Sequence, residues 1–114
     1  MKRKRWKAVG NAELWAQFKF AVAAADAFTC VMVGRSACDG PLQACHVIPK
    51  QRLKRMGYGA EDIYSVDAAF TACRRHHTRH DSHLERIPDG LLPERCKEFA
   101  DRIEEERVAA LPKR

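Results

Sequence analysis

The sequence predicts a small α+β domain: a helix, a β-hairpin, a loop region and two further helices. Three observations carry this prediction. Segments with helical apolar spacing stand near both ends of the chain, and two β-rich runs face each other across a strong turn signal at Asp39-Gly40-Pro41. Cysteine and histidine are also crowded onto the hairpin and the helix after it, where a bound metal would reinforce a modest core. The 114 residues suit one domain and are too few for a large cofactor fold such as a Rossmann unit with a second domain.

Residues 1–10 hold Lys2, Arg3, Lys4, Arg5 and Lys7 and no hydrophobic period, so they read as a tail outside the domain of 11–114. Two readings stand: a solvated tail, or a basic arm lying along nucleic-acid phosphates. Asn11 is a good N-cap, and Leu14, Phe18, Val22 and Ala25 recur at helical spacing with Trp15 alongside, which predicts a helix over about 12–26. Its apolar face reads as core. Phe28 to Val33 is rich in β-formers and runs into Gly34, predicting a short strand that ends in a turn. The run 42–48, LQACHVI, alternates and stops at Pro49, giving the second strand of the hairpin. Lys50, Arg52, Lys54 and Arg55 crowd one short loop or helix, broken by Gly57 and Gly59, and 60–67 reads as loop. The stretch 68–85, AAFTACRRHHTRHDSHLE, reads as helix, ended at Pro88-Asp89-Gly90. Pro93 can open a last helix, about 93–111, with Cys96, Phe99, Ile103 and Ala110 on one face.

The composition is ordinary for a globular chain, at 46% hydrophobic and 32% charged residues, but the charge balance is +6 and the pI near 9.3. That balance suits a polyanionic partner. The basic start is not followed by the apolar run and small-residue cleavage site of a secretory signal. The longest apolar stretch, Phe20 to Val33, is broken by Asp26 and too short to span a bilayer, so no membrane partner is expected and the chain reads as cytoplasmic. In a reducing compartment, five cysteines, an odd number, favour metal ligation over a disulfide framework.

Cys30, Cys38 and Cys45 fall on the predicted hairpin; Cys73, His76, His77, His80 and His83 fall on the helix after it. Cys73-Arg74-Arg75-His76 has a C-x2-H spacing in which one helical turn presents two ligands to one ion, and zinc asks for four such ligands at tetrahedral corners. Cys96 lies on the apolar face of the last helix and reads as plain core. The run Glu104–Glu106 reads as an exposed helix surface.

The run CDGPLQACHVIPKQRLKR, followed by CRRHHTRHD and preceded by DAFTCVMVG, resembles the HNH endonucleases of the small phage or prophage type. The likeness covers roughly residues 12–85 and is most specific at His46–Pro49 and at 73–77. It implies a ββα-metal (His-Me finger) core over about 28–85: a hairpin and one helix clamping a catalytic divalent ion, with a separate structural zinc. It implies that His46 is the general base that takes a proton from the attacking water, for which neutral imidazole is suited. His77 would ligate the catalytic ion (magnesium, manganese or nickel), which polarises the scissile phosphate and stabilises the departing 3′ oxygen. Asp81 or His80 would supply a second ligand one turn on. Asp81 is preferred because it stands at the spacing that histidine occupies in colicin-type nucleases. Cys73, His76 and Cys30 would hold the zinc.

Three positions depart from the family pattern. The second knuckle cysteine would fall at Val33, so Cys38 in the turn, or else Cys45, takes its place as fourth zinc ligand. The residue before the base, ordinarily an aspartate or histidine that binds the catalytic ion, is Cys45, a soft ligand poorly matched to magnesium. The asparagine that braces the loop carrying the base is replaced, nine residues before His77, by Ala68; either the chain is a degenerate member whose His46 is poorly oriented, or Asp67 beside it takes the role after a shift of one residue. The expected activity is hydrolysis of double-stranded DNA with weak sequence preference. Lys50, Arg52, Lys54, Arg74, Arg75 and Arg79 would contact phosphates, although Arg74, Arg75 and Arg79 also read as a solvated face. Members of this type often sit beside packaging genes, which makes a phage terminase large subunit a candidate partner. The departures at Cys45 and Ala68 support a second reading, a zinc-stabilised nucleic-acid-binding module with weak or no catalysis.

Overall fold

The computed structural model describes residues 11–112; the basic segment 1–10 lies outside them. The order is helix α1 (Asn11–Ala25), strand β1 (Leu42–His46), helices α2 (Lys50–Arg55) and α3 (Ala60–Ile63), a 3-10 turn (Val66–Ala68), strand β2 (Ala69–Cys73), helix α4 (Arg74–Asp81), a second 3-10 turn (Asp89–Leu91) and helix α5 (Glu94–Ala109). It is a mixed α+β fold around a two-stranded antiparallel sheet.

The sheet pairs Gln43 with Ala72, Ala44 with Thr71, Cys45 with Phe70 and His46 with Ala69. Because side chains alternate across a strand, this register sorts the chemistry onto two faces. Ala44 and Ala69 pack with Phe18 and Val22 of α1. Cys45, Phe70 and Ala72 pack with Cys30, Met32, Cys73, Ile87 and Cys96 on the other side. A third cluster, Leu53, Ile63, Ala68, Phe99 and Ile103, joins α2, α3 and α5 beside the start of β2.

Two predicted elements are corrected. Phe28–Val33 forms no strand: the chain leaves α1 through Ala27 and Phe28, both at φ 54°, and then closes successive turns, Val33 N–H on Cys30 O and Arg35 N–H on Met32 O. One bond, Val31 N–H to Thr71 O at 3.0 Å, ties this segment to the sheet. The hairpin partner of β1 is instead Ala69–Cys73, which the alanine-rich sequence had marked as helix. All five β2 residues are buried, and a short run buried on both faces carries no alternation to tell strand from helix. The helix is therefore α4 alone, and His83 at φ 62° lies beyond its end. The segment 60–67, read as loop, holds α3 and the start of the 3-10 turn. The last helix ends one residue before Ala110, which is exposed, while Cys96, Phe99 and Ile103 are buried as expected.

One glycine is required by close approach. Gly40, at φ +85°, would set a Cβ 2.8 Å from that of Arg74, so the loop carrying Cys38 could not lie against the start of α4 with a larger residue there. Among the described residues, no helix is long and apolar enough to cross a membrane.

Candidate metal centre and active site

Four of the predicted metal ligands converge. Cys30 comes from the turn after α1, Cys38 from the loop before β1, Cys73 from the end of β2 and His76 from the first turn of α4; their donor atoms all lie within 4.8 Å of one another. The three sulfurs surround one atom, His76 Nδ1, at 3.1 Å (Cys73), 3.5 Å (Cys30) and 3.7 Å (Cys38). A tetrahedral zinc with bonds of about 2.3 Å to sulfur and 2.0–2.1 Å to nitrogen sets those atoms about 3.5 Å apart, so the donor set fits the ion.

Local structure explains the arrangement. Cys73 caps α4, its sulfur accepting the His76 backbone N–H at 3.4 Å, and Cys30 likewise accepts Met32 N–H at 3.4 Å. Burial alone would raise the Cys73 thiol. The N–H groups of His76 and Asp39 and the neighbouring thiols outweigh burial and lower its pKa. The Cys38 thiol is pushed up to about 11, by loss of solvent and then by Cys73 and Cys30. All five cysteines are free thiols.

The buried His76 ring is fixed from its other side. Ser36 Oγ lies 2.7 Å from His76 Nε2 and donates its own proton to Glu85 Oε2 at 2.8 Å. The serine therefore accepts from Nε2–H, which leaves Nδ1 unprotonated and facing the sulfurs. A carboxylate acting through a hydroxyl sets the tautomer a metal ligand needs. Arg79 closes the chain with an ion pair to Glu85 at 3.1 Å. Neither Ser36 nor Glu85 was singled out in the sequence, where nothing distinguishes them from other surface polar residues.

A second group, Cys45, His77 and Asp81, also has its donor atoms within 4.8 Å of one another. Successive residues of α4 thus look into different clusters, His76 into the sulfurs and His77 toward β1. His77 Nε2 lies 3.3 Å from Asp81 Oδ2, and His77 Nδ1–H donates to Gln43 Oε1 at 2.9 Å. Gln43 was missed, although its place two residues before Cys45 on an alternating strand puts both on the face toward α4. Cys45 is fully buried and its thiol is pushed far up, chiefly by burial and next by Asp81. His80 does not join this group: its Nδ1 accepts Ile87 N–H at 2.9 Å, and its ring lies edge-on to Phe70 along a cleft with Val47 and Arg86.

His46 ends β1 on the face opposite Cys45. Its ring stacks on Phe18 of α1, centroids 5.1 Å apart, and its Nε2–H donates to Ile63 O at 2.8 Å, leaving Nδ1 as the basic nitrogen. Burial, followed by the charges of Lys50 and His77, lowers its pKa against the bond to Ile63, so the ring is neutral at pH 7. The Ile63 carbonyl, not a side chain at 67 or 68, orients the imidazole. Ala68 is fully buried in the apolar cluster, and Asp67 is exposed, its backbone N–H rather than its carboxylate engaging Ser65. Of the six cations expected at phosphates, Arg52, Lys54, Arg74 and Arg75 are exposed, Arg79 is paired with Glu85, and Lys50 lies 5.3 Å from the Trp15 ring centre.

The fold and this site define a small α+β domain with a Cys3His cluster able to hold a metal. Residues 30–85, from the first cysteine of that cluster to the carboxylate of its histidine relay, match the HNH endonuclease family. No curated protein and no solved structure matches.

Proposed function

We propose that the protein is a metal-dependent DNA endonuclease built on a ββα-metal core, β1, β2 and α4, with zinc in the Cys3His cluster and a catalytic divalent ion at His77 and Asp81. The observation that carries this reading is the pair of adjacent histidines on α4 serving two separate clusters inside the segment that matches the family. Cys30, Cys38, Cys73 and His76 supply four protein donors, which suits a closed structural site, whereas the group at His77 leaves room for substrate. A divalent ion held there would supply Lewis-acid polarisation of the scissile phosphate and stabilisation of the leaving 3′ oxygen.

The chain's own residues do the rest. His46 accepts the proton of the attacking water at Nδ1, while the Ile63 carbonyl keeps Nε2 protonated and the ring in register. Gln43 holds His77 with Nε2 toward Asp81. Arg52, Lys54, Arg74 and Arg75 neutralise backbone phosphates, so affinity for duplex DNA falls steeply with salt and depends weakly on sequence. A phage terminase large subunit is the protein partner that the resemblance suggests.

The test is incubation with supercoiled plasmid in magnesium, manganese, nickel, cobalt or zinc against an EDTA control. Nicked or linear product that disappears in His46→Ala supports the nuclease. Intact plasmid under every ion, with a retarded band on a binding gel, supports the second reading, a zinc-stabilised DNA-binding module. That reading draws on the opposite-face placement of His46 and on the apolar burial of Ala68.

A further inference from the structure

The donor set of the second cluster is not the one a hard ion asks for. Magnesium takes oxygen ligands in near-octahedral array at about 2.0–2.1 Å, which sets neighbouring ligand atoms about 2.9 Å apart. A tetrahedral ion with nitrogen and oxygen at about 2.0–2.1 Å sets them about 3.3–3.4 Å apart. His77 Nε2 and Asp81 Oδ2 stand 3.3 Å apart, and the Cys45 sulfur lies within 4.8 Å of both. The sulfur is held in place: Cys45 is a fully buried strand residue paired with Phe70, and it is bonded to no other cysteine. Gln43, on the same strand face, keeps His77 Nε2 free to bind. Sulfur, nitrogen and oxygen thus come from the protein, and Asp81 is exposed, so a fourth, non-protein ligand could reach an ion held there from solvent. Three protein ligands and one open position mark a catalytic zinc-type site, in contrast to the closed Cys3His cluster.

We propose that Cys45 is the ion-selecting ligand of the second site, making it specific for thiophilic, tetrahedral ions such as zinc or cobalt over magnesium. The proposal rests on the nuclease reading for what the ion does; binding and selectivity stand on the donor set alone.

The experiment is a cobalt titration of the full chain, preloaded with one equivalent of zinc, followed by absorption spectroscopy. The expected result is a further equivalent of cobalt with tetrahedral ligand-field bands and a thiolate-to-cobalt charge-transfer band, undiminished by excess magnesium. Cys45→Ala should weaken that equivalent by at least about 100-fold, since even outer-shell partners of a metal ligand are worth about 10- to 100-fold. Cys45→Asp should abolish the charge-transfer band and admit magnesium or manganese. In each variant, a tetrahedral thiolate spectrum for the first equivalent of cobalt, added without zinc, certifies the fold. A charge-transfer band for the further equivalent that survives Cys45→Ala, or magnesium that displaces cobalt from the wild type, overturns the proposal. Magnesium-supported plasmid cleavage unaffected by Cys45→Ala would overturn it and leave the nuclease reading intact. A Cys45-dependent band in a protein that cuts no DNA with any ion would uphold the site and end the nuclease reading.

Discussion

His76 and His77 are neighbours with the same side chain and different tasks, and their hydrogen-bond partners make the difference. Ser36 accepts from Nε2–H of His76, so that ring meets its cluster through Nδ1. Gln43 accepts from Nδ1–H of His77, so that ring meets its cluster through Nε2. Removing either partner leaves the ligand in place and loosens its tautomer and orientation. Ser36→Ala is therefore expected to weaken zinc binding by about 10- to 100-fold with little change in secondary structure, measured by competition with a chromophoric chelator. Unchanged zinc affinity would show that the Ser36–Glu85 relay does not set the tautomer. At this scale the cysteines and histidines that converge were legible in the sequence, and their hydrogen-bond partners were not. Cysteine and histidine at C-x2-H spacing announce a ligand pair, whereas a serine forty residues from its histidine announces nothing, because only the fold brings the two together.

At the scale of elements, α1 lies outside the matched segment yet supplies the ring on which His46 stacks. Phe18 is buried against His46 and Tyr64, with Trp15 alongside. Phe18→Ala removes a buried aromatic and should cost about 3–5 kcal/mol of stability. Where the variant is still folded, cleavage should fall while zinc content stays at the wild-type level, since no cluster ligand is on α1. Urea unfolding monitored by circular dichroism, with zinc analysis and plasmid cleavage on the same samples, reads all three quantities. Both terminal helices were legible because their apolar residues keep a period over many residues. The strands were half legible. LQACH alternates on a half-exposed strand and was placed; AFTAC is buried on both faces and rich in alanine, and its local preference for helix was overridden by pairing with β1. FTCVMV has strand-forming residues but is wound into turns that present the Cys30 sulfur to backbone N–H and to the cluster, and residue preference carries no trace of that constraint.

At the scale of the molecule, one charge pair ties together elements from both ends of the chain. Asp26, just past α1, accepts from Arg95 of α5 at 2.8 and 3.0 Å and from both the backbone N–H and hydroxyl of Thr71 on β2 at 2.8 Å. Arg95 also donates to the carbonyls of Val66 and Ala69. Burial would raise the Asp26 carboxyl, but Arg95 and Thr71 outweigh it and hold its pKa below the ordinary 3.8. A carboxyl whose folded pKa is depressed contributes its full stability above the unfolded value and loses it as pH falls through the folded one. Asp26→Asn should therefore cost about 3–5 kcal/mol at neutral pH, the penalty of stranding a buried partner, and should flatten the acid limb of stability below about pH 4. Thermal unfolding of both proteins between neutral and acid pH checks this; parallel curves would assign the acid sensitivity to other groups. The pair was not legible in advance, since Asp26 read only as an interruption of an apolar stretch.

In the proposed reaction His46 activates water for phosphodiester hydrolysis assisted by an ion held on α4. Single-turnover cleavage of an end-labelled DNA duplex tests it most directly, comparing wild type and His46→Ala at matched metal content with duplex binding measured in parallel. The expected result is wild-type product carrying a 3′ hydroxyl, and a loss of about 10²- to 10⁴-fold in rate for the variant with DNA affinity and bound zinc retained. A variant that cuts as fast as the wild type would contradict it.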